Sequence, residues 1–264
     1  MSNIGKEVRL ARMLNPESKN AVVVAMDHAT VIGPVKGIVD PKDTVRVLAP
    51  GKPDAFFMPN GVIKQVYPYF IENHVPFMLS IDTCVGMGPE PDYFFLSDSV
   101  MHAVQLGASG VSMHVLVGPE KTSEMLKGLT KVAEDCDNLG MPLMAIMYPS
   151  GFENNFAVNH VKWAARIGSE LGADIVKAFY TGSVESFSEV VESCSVPVFL
   201  SGGEIANDPK SFLQVFKNVI EAGGRGCAVG RNLWQYKEPL KMLEAIKKIA
   251  HHYYSVEDAV KELL

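Results

Sequence analysis

The segment "SEMLKGLTKVAEDCDNLG", residues 123–140, is followed after one residue by "PLMAIMYP", residues 142–149, and this pair predicts the fold. In the first segment apolar residues recur every three or four positions from Met125 to Cys136, and Gly140 supplies a helix stop. The second segment is a short apolar run between prolines, which is typical of a buried strand. A helix that leads into a buried strand is one repeat of an α/β fold.

Eight apolar runs of similar length occur along the chain, and most of them are separated by enough residues for a helix. The runs span 21–28, 55–59, 76–82, 110–117, 142–149, 174–180, 196–203 and 226–234. Eight strands that alternate with helices in about 250 residues are typical of a (β/α)₈ barrel. We therefore predict an α/β fold, a single TIM barrel over residues 1–264. An open doubly wound sheet is the alternative, but none of the runs resembles an edge strand.

Two further helices are predicted, and one region is irregular. In residues 207–224, Asp208 supplies an N-cap, Pro209 takes the first helical position, and the segment ends in glycine. Residues 255–264 open with Ser255 in capping-box spacing and predict a helix that closes the chain. The stretch 31–44 is predicted as a long loop before any helix.

Composition and charge exclude several classes of function. The 264 residues are 47% hydrophobic and carry a net charge of -6 without a basic cluster, which argues against nucleic-acid and anionic-membrane partners. The N-terminus lacks the apolar stretch of a signal peptide, and no window approaches the ~18 apolar residues of a membrane span. The four cysteines are far apart in sequence and are predicted to be buried free thiols. These features predict a cytoplasmic protein.

Lys177 lies in the middle of an apolar run, "GADIVKAFYTG", residues 172–182. Successive side chains of a strand point to opposite faces, so Lys177 lies on the face opposite to Val176 and Ala178. Small aliphatic side chains suit the face that packs against helices, so Lys177 is predicted to point into the barrel. Burial disfavours the charged form of an amine, and a neutral amine attacks a carbonyl to form an imine. The alternative is a structural lysine that is neutralised by Asp27 or Asp174.

Other polar residues also fall at strand ends, where barrels carry their functional groups. Asp27 ends the first run on its inner face, where it could orient the lysine, bind a substrate hydroxyl or relay a proton. His28 is expected to point the other way, as a weaker binding candidate. Tyr148 ends the fifth run and is expected beside Lys177 at nearly the same height. Its phenol could exchange a proton with a substrate, or it could simply cap the core.

The seventh and eighth runs end in glycines that predict a phosphate site. Barrels often bind phosphate in the loops after these two strands, through exposed backbone N–H groups. Arg231, in the loop after the eighth run, can add the paired N–H donors of its guanidinium group. The predicted set is Ser201, Gly202, Gly203, Gly230 and Arg231.

With these motifs in place, the chain resembles, over nearly its whole length, the class I Schiff-base aldolases of the archaeal fructose-bisphosphate aldolase type. The matching segments are "MDHATVIGPVKG", "MYPSG", "GADIVKAFYTG", "SGG" and "VGRNLWQ". The segments "GPEPDYFF" and "VSMHVLVGPEKTSEMLKGL" look closest to the 2-amino-3,7-dideoxy-D-threo-hept-6-ulosonate synthase branch, which performs a transaldol exchange. The thiolase of phosphorylated autoinducer-2 is a third relative.

The resemblance implies a Schiff-base lysine at Lys177, an acid–base tyrosine at Tyr148 and the family's strand-one aspartate at Asp27. It also implies that a sugar phosphate with a dihydroxyacetone-phosphate-like donor part is the substrate, that no metal cofactor is needed and that the protein is a homo-oligomer. Rival functions are a metal-dependent aldolase and a non-catalytic barrel that binds a sugar phosphate. The histidines at positions 28, 74, 102, 114 and 160 do not form an evident ligand set for the former.

Three positions depart from the usual family pattern. Ala29 stands where glycine is usual, Ser150 replaces an arginine, and Glu204 replaces a proline beside the anion loop. The last two changes remove a cation and add a negative charge. They leave open whether the substrate end remote from the lysine carries a second phosphate, a sulfonate or no anion.

Overall fold

Eight parallel strands close into a barrel in the computed structural model, which describes residues 3–118 and 120–263. The strands are β1 (Ala21–Ala25), β2 (Ala55–Met58), β3 (Phe77–Ser80), β4 (Gly110–Val117), β5 (Leu143–Pro149), β6 (Ile175–Ala178), β7 (Val198–Ser201) and β8 (Gly226–Val229). Because β1 pairs with both β2 and β8, the sheet has no edge. The predicted (β/α)₈ barrel is confirmed, and the open doubly wound sheet is wrong.

Helices connect the strands and cover the barrel. They are α1 (Ile4–Met13), α2 (Ala29–Ile32), α3 (Pro41–Leu48), α4 (Asn60–Asn73), α5 (Val100–Leu106), α6 (Thr122–Leu139), α7 (Val158–Glu170), α8 (Val184–Ser193), α9 (Pro209–Glu221), α10 (Arg231–Trp234), α11 (Pro239–His252) and α12 (Val256–Val260). Helix α6 ends as predicted, with Gly140 in the left-handed conformation at φ 62°. Helix α9 begins as predicted, with the Asp208 side chain accepting from the Ser211 N–H.

Three predicted boundaries need correction. The run 226–234 is not one strand, because its last four residues form α10, whose apolar side chains continue the apolar pattern of β8. The predicted loop 31–44 contains the end of α2 and the start of α3. The C-terminal helix stops at Val260 and gives way to a 3₁₀ turn, Lys261–Leu263, while Leu264 lies outside the described residues. An apolar run alone does not distinguish a strand from a short buried helix.

Helix α1 closes the amino end of the barrel. Its residue Leu10 and the following Leu14 pack against the interior side chains of the strands. Lys6 anchors the helix through ion pairs of 2.5 Å to Asp137 and 3.0 Å to Asp174. Asp174 also accepts from the Leu143 N–H. It is therefore engaged at the opposite end of the barrel from the predicted site and does not neutralise Lys177.

A two-stranded hairpin follows β3, and the sequence did not predict it. Its strands are Asp82–Thr83 and Phe95–Leu96. The hairpin loop rests on α2: a Cβ added at Gly86 would lie 1.9 Å from the Val31 carbonyl oxygen, so only glycine fits there. This contact holds the hairpin beside the carboxyl ends of the strands.

Two further expectations concern the state of the cysteines and the presence of a membrane-spanning helix. All four cysteines are free, and Cys84, Cys136 and Cys227 are buried as predicted, whereas Cys194 is partly exposed. Within residues 3–118 and 120–263, none of the helices combines the length and the apolar character needed to cross a membrane.

Candidate active site

A cavity of about 740 Å³ opens at the carboxyl ends of the barrel strands. All nine residues that the sequence singled out line it: Asp27, His28, Tyr148, Lys177, Ser201, Gly202, Gly203, Gly230 and Arg231. The structure therefore brings the predicted residues together, although their roles stay predictions. A second groove of about 500 Å³ lies outside the barrel, and Lys64 is its one charged residue among those described.

Lys177 lies at the base of this cavity and is 5% exposed. Its Nζ is 5.0 Å from the centroid of the Phe57 ring and 5.9 Å from that of Tyr148. No carboxylate in the described part of the chain lies within the 4.0 Å of an ion pair, and no hydrogen bond engages the amine. This arrangement does not fit a lysine that serves as a structural ion-pair partner. The amine is instead held by aromatic faces and directed into the cavity.

Tyr148 is positioned by β5 and by its ring contacts. In the β5–β6 register Lys177 pairs with Ile146, so Tyr148 lies two residues farther toward the cavity mouth. The expectation of equal height is wrong, because staggered strands in a closed barrel do not keep matching ends level. The Tyr148 hydroxyl lies 2.6 Å from Ser201 Oγ, and its ring stacks on Phe179 at 4.1 Å.

Asp27 is one member of a chain of titratable groups. His114 Nε2 lies 3.4 Å from Asp27 Oδ2, and His114 Nδ1 lies 3.1 Å from Asp82 Oδ1. The backbone N–H of His114 also donates to Asp82 Oδ2 at 2.6 Å. Because both ring nitrogens face carboxylate oxygens, the imidazole bridges two acids that lie 55 residues apart in sequence. Such a bridge can hold and exchange protons between the cavity and the barrel interior.

The pKa values of Asp27 and Asp82 are shifted in opposite directions. Burial alone would raise the pKa of Asp27, but the contact with His28 and the charges of His114 and Lys177 outweigh it and hold that pKa well below the usual range. Burial raises the pKa of Asp82, and the nearby Asp27 charge adds to this against the opposing contacts with His114. Asp27 is thus the anion that faces the cavity, while Asp82 retains a proton more readily.

The roles of His114 and Asp82 were not predicted, although the alternation of residues in their strands indicates that both point into the barrel. Ser112 and His114 alternate with the valine and methionine residues of β4 that join the outer core. Asp82 likewise follows Met78, an inner residue, at intervals of two. The alternation that placed Lys177 inside the barrel would have placed these side chains there as well.

His28 faces the cavity, contrary to the expectation that it points away. Strand β1 ends at Ala25, so Asp27 and His28 lie beyond its regular alternation and both line the cavity. His28 Nδ1 lies 3.2 Å from Asp27 Oδ1, but the geometry is too bent for a hydrogen bond. A Cβ added at Gly230 would lie 2.5 Å from the His28 ring, so a larger residue there would displace this ring.

The loops after β7 and β8 are tied together on one side of the cavity. Arg231 Nη2 donates to the Gly203 carbonyl at 3.0 Å, while Arg231 Nε is buried without a hydrogen-bond partner among the described residues. Asn232, which follows Arg231 after β8, donates to the Gly202 and Glu204 carbonyls at 2.7 Å. The glycine loop is therefore fixed in place, and the unpartnered Nε is a donor that a bound anion would satisfy.

Replacing Asp82 with asparagine should make the free energy of unfolding, relative to that of the unchanged protein, more favourable at pH 7 than at about pH 4. A carboxyl whose pKa is raised by folding binds its proton more tightly in the folded protein. The stability that this proton contributes is lost as pH rises from about 4, the value of an unfolded aspartate, through the raised pKa. The asparagine variant does not titrate at this position, so it does not lose this stability as pH rises. Urea denaturation at the two pH values measures the free energy of unfolding of both proteins.

Asp43→Asn is the control for this comparison, because the Asp43 side chain is 73% exposed in a surface ion pair. Its free energy of unfolding, relative to the unchanged protein, should vary little with pH. A difference between Asp82→Asn and the unchanged protein that stays constant from pH 4 to about pH 7 would contradict the raised pKa.

No group of three or more histidine, cysteine or acidic residues could hold a metal ion, as far as residues 3–118 and 120–263 show.

Comparison with known proteins gives consistent matches. The model of a family described as DeoC/LacD family aldolase matches residues 21–236. An uncharacterised aldolase of Saccharolobus solfataricus is 33% identical over 98% of this chain and 99% of its own length. A 2-amino-3,7-dideoxy-D-threo-hept-6-ulosonate synthase of Halobacterium salinarum is 31% identical over 95% of this chain and 93% of its own.

Solved structures match over a similar extent. A crystal structure of an archaeal fructose 1,6-bisphosphate aldolase is 30% identical, with a TM-score of 0.86, over 93% of this chain and 98% of that one. An archaeal fructose-1,6-bisphosphate aldolase with its catalytic lysine covalently bound to the carbinolamine intermediate is 29% identical, with a TM-score of 0.85, over 92% and 98% of the two chains.

Proposed function

We propose that this chain, which belongs to the DeoC/LacD family of aldolases, is a class I aldolase whose Lys177 forms an imine with a phosphorylated ketose. The observation that carries the proposal is the Lys177 amine, which is buried, free of ion pairs within the described residues and directed into the cavity. The similar archaeal aldolase with a lysine-bound carbinolamine supports it. The imine supplies the electron sink, so this chemistry needs no metal.

The reaction begins when Lys177 Nζ attacks the ketone carbon of the substrate. The resulting carbinolamine loses water and becomes a protonated imine. In the cleavage step the bond between the third and fourth carbons breaks, and its electron pair moves into the iminium to give an enamine. Tyr148, which enters this step as the phenolate, takes the proton of the fourth-carbon hydroxyl and becomes the neutral phenol, and the aldehyde leaves. Protonation of the enamine and hydrolysis of the imine release the donor ketone.

Asp27 and His114 serve the proton transfers around the imine. Asp27 stays ionised, so it attracts the positive charge that develops on Lys177 during imine formation. His114 holds the Asp27 carboxylate in place from 3.4 Å and connects it to Asp82. Water leaves the carbinolamine with a proton, which the Asp27–His114–Asp82 chain supplies.

The phosphate of the donor part binds at the loops after β7 and β8. The Gly203 backbone, at φ 67°, and the Gly230 loop bound one side of the cavity. The unpartnered Arg231 Nε provides a charged donor there. The phosphate thus lies on the β7–β8 side, and the ketone carbon reaches Lys177.

Arg231→Ala should raise the KM for a phosphorylated donor about 10- to 100-fold, the range expected for a lost charge-assisted hydrogen bond. Steady-state kinetics with dihydroxyacetone phosphate measures the change. Arg225→Ala is the matched control, because Arg225 is exposed and precedes β8 at the other end of the strand. An unchanged KM in Arg231→Ala would place the phosphate elsewhere.

Covalent trapping tests the imine. The unchanged protein is treated with borohydride in the presence of dihydroxyacetone phosphate, and its peptides are analysed by mass spectrometry. We expect loss of activity and the mass of the reduced donor on Lys177. The donor mass on another lysine, with Lys177 unmodified, would refute the assignment.

A transaldolase is the second candidate, because a relative of 31% identity is named 2-amino-3,7-dideoxy-D-threo-hept-6-ulosonate synthase. Such an enzyme would form the same trapped imine. It would, however, release its donor part only when an acceptor aldehyde is added, whereas an aldolase releases it to water. Product release measured with and without an acceptor separates the two reactions.

A further inference from the structure

Five aromatic rings form a continuous arc along the β4–β6 side of the cavity. Adjacent ring centroids in the arc are 4.9, 4.1, 6.4 and 4.3 Å apart. In order, the rings belong to Phe156, Phe179, Tyr148, His114 and Phe94. Two of these residues lie on β4 and β5, and the others follow β5, β6 and the hairpin strand Asp82–Thr83. The arc therefore covers the β4–β6 side of the cavity and reaches the end of β7, where the Tyr148 hydroxyl lies 2.6 Å from Ser201 Oγ.

The charges around the cavity are distributed unequally. Among the described lining residues, the lysine and arginine side chains are those of Lys177 and Arg231, and Arg231 is bound to the Gly203 carbonyl on the phosphate side. On the arc side the Asp27 carboxylate lies 3.4 Å from the His114 ring, and the other acidic lining residue, Glu204, follows β7 on the phosphate side. A second phosphate on the arc side would lie against aromatic rings and near a carboxylate, without a cation of its own. Removing a charge from water without a partner is strongly unfavourable.

The mouth of the cavity continues this apolar surface. Phe156 is 56% exposed and Ile32 is 40% exposed, although both line the cavity. Large apolar side chains that remain exposed next to a site are typical of surfaces that a ligand covers. Tyr148 belongs to the arc, and it is also the residue proposed to accept the hydroxyl proton of the fourth carbon. The carbons beyond that hydroxyl therefore run along the arc.

We infer that the acceptor aldehyde of this enzyme is uncharged and carries an apolar or aromatic body, and that it is not a phosphorylated aldehyde. This inference rests on the proposed class I aldolase and adds the chemical class of its second substrate. It also answers the question left open by Ser150 and Glu204: the remote end of the substrate carries no anion. The bond made in the synthetic direction joins the enamine carbon on Lys177 to the aldehyde carbon, and Tyr148 returns the proton to the new alkoxide.

The experiment uses the full chain, dihydroxyacetone phosphate as the donor and two pairs of acceptors. Glyceraldehyde and glyceraldehyde 3-phosphate differ by one phosphate, and propanal and phenylacetaldehyde differ by an aromatic body. We expect kcat/KM to be no higher for the phosphorylated member of the first pair. We expect kcat/KM for phenylacetaldehyde to exceed that for propanal by about tenfold or more, as the burial of a ring implies.

Phe156→Ala should reduce the ratio of kcat/KM for phenylacetaldehyde to kcat/KM for propanal severalfold, because the substitution removes the outer ring of the arc. Trp163→Ala is the matched control: Trp163 is similarly exposed, at 52%, but lies on α7 outside the cavity lining, and the ratio should not change. A preference for glyceraldehyde 3-phosphate over glyceraldehyde, or equal rates for propanal and phenylacetaldehyde, would overturn the inference.

Borohydride trapping on the same preparation separates this inference from the proposed function. Trapping of the donor on Lys177 together with the wrong acceptor preference overturns the inference alone. Trapping without condensation onto any of the four aldehydes also overturns it. Absence of trapping overturns the class I mechanism itself.

Discussion

Replacing Lys177 with methionine should lower turnover by at least about 10⁴-fold, the scale of losses seen when a covalent nucleophile is removed. The variant cannot form an imine, so no donor mass should appear at position 177 after borohydride treatment. Progress curves with dihydroxyacetone phosphate and an aldehyde acceptor, together with mass spectrometry, measure both effects. Turnover and the trapped donor mass should be lost together, because the Lys177 amine is responsible for both.

The fold should survive this substitution. Lys177 is 5% exposed and makes no ion pair within the described residues, and methionine has a similar length and an apolar end that suits the Phe57 ring. The free energy of unfolding should therefore stay the same or rise. Lys127→Met, at an exposed position on α6, is the control and should retain activity and trapping. A folded Lys177→Met variant with substantial turnover would refute the imine mechanism.

Tyr148→Phe should reduce turnover by about 10²- to 10⁴-fold, the usual contribution of a general acid–base group. The phenyl ring keeps its stacking on Phe179, so the fold should change little. Imine formation does not use the phenol in this mechanism, so the borohydride-trapped donor should still appear on Lys177. The variant thus separates imine formation from carbon–carbon bond cleavage.

Tyr180→Phe is the matched control for this experiment. Tyr180 follows β6, but its hydroxyl accepts from Asn218 Nδ2 at 2.9 Å and does not line the cavity. Its loss should leave turnover nearly unchanged. If Tyr148→Phe also turns over at the unchanged rate, Tyr148 only caps the core. Asp27, which is ionised and faces the cavity, would then be the leading candidate for the proton transfer.

Much of this fold was predictable because its signals are local. Each strand is a short apolar run, and most of the connecting helices have their own caps and periodicity, as in α6 and α9. Eight such repeats permit few other arrangements. The hairpin after β3 was not predicted, since its strands are two residues long and carry no period of their own. Helix α10 was misassigned, because its apolar residues continue the run of β8.

The sequence by itself determined the eight-repeat barrel and the residue types at its strand ends, including Lys177, Tyr148 and the glycine loops. Only the tertiary structure decided how those residues meet. The register put Tyr148 two residues above Lys177, and barrel closure brought His114 between Asp27 and Asp82. Distances between such residues depend on strand stagger and on side-chain reach across the barrel, which involve several strands at once. A sequence pattern records only which face of its own strand a residue occupies.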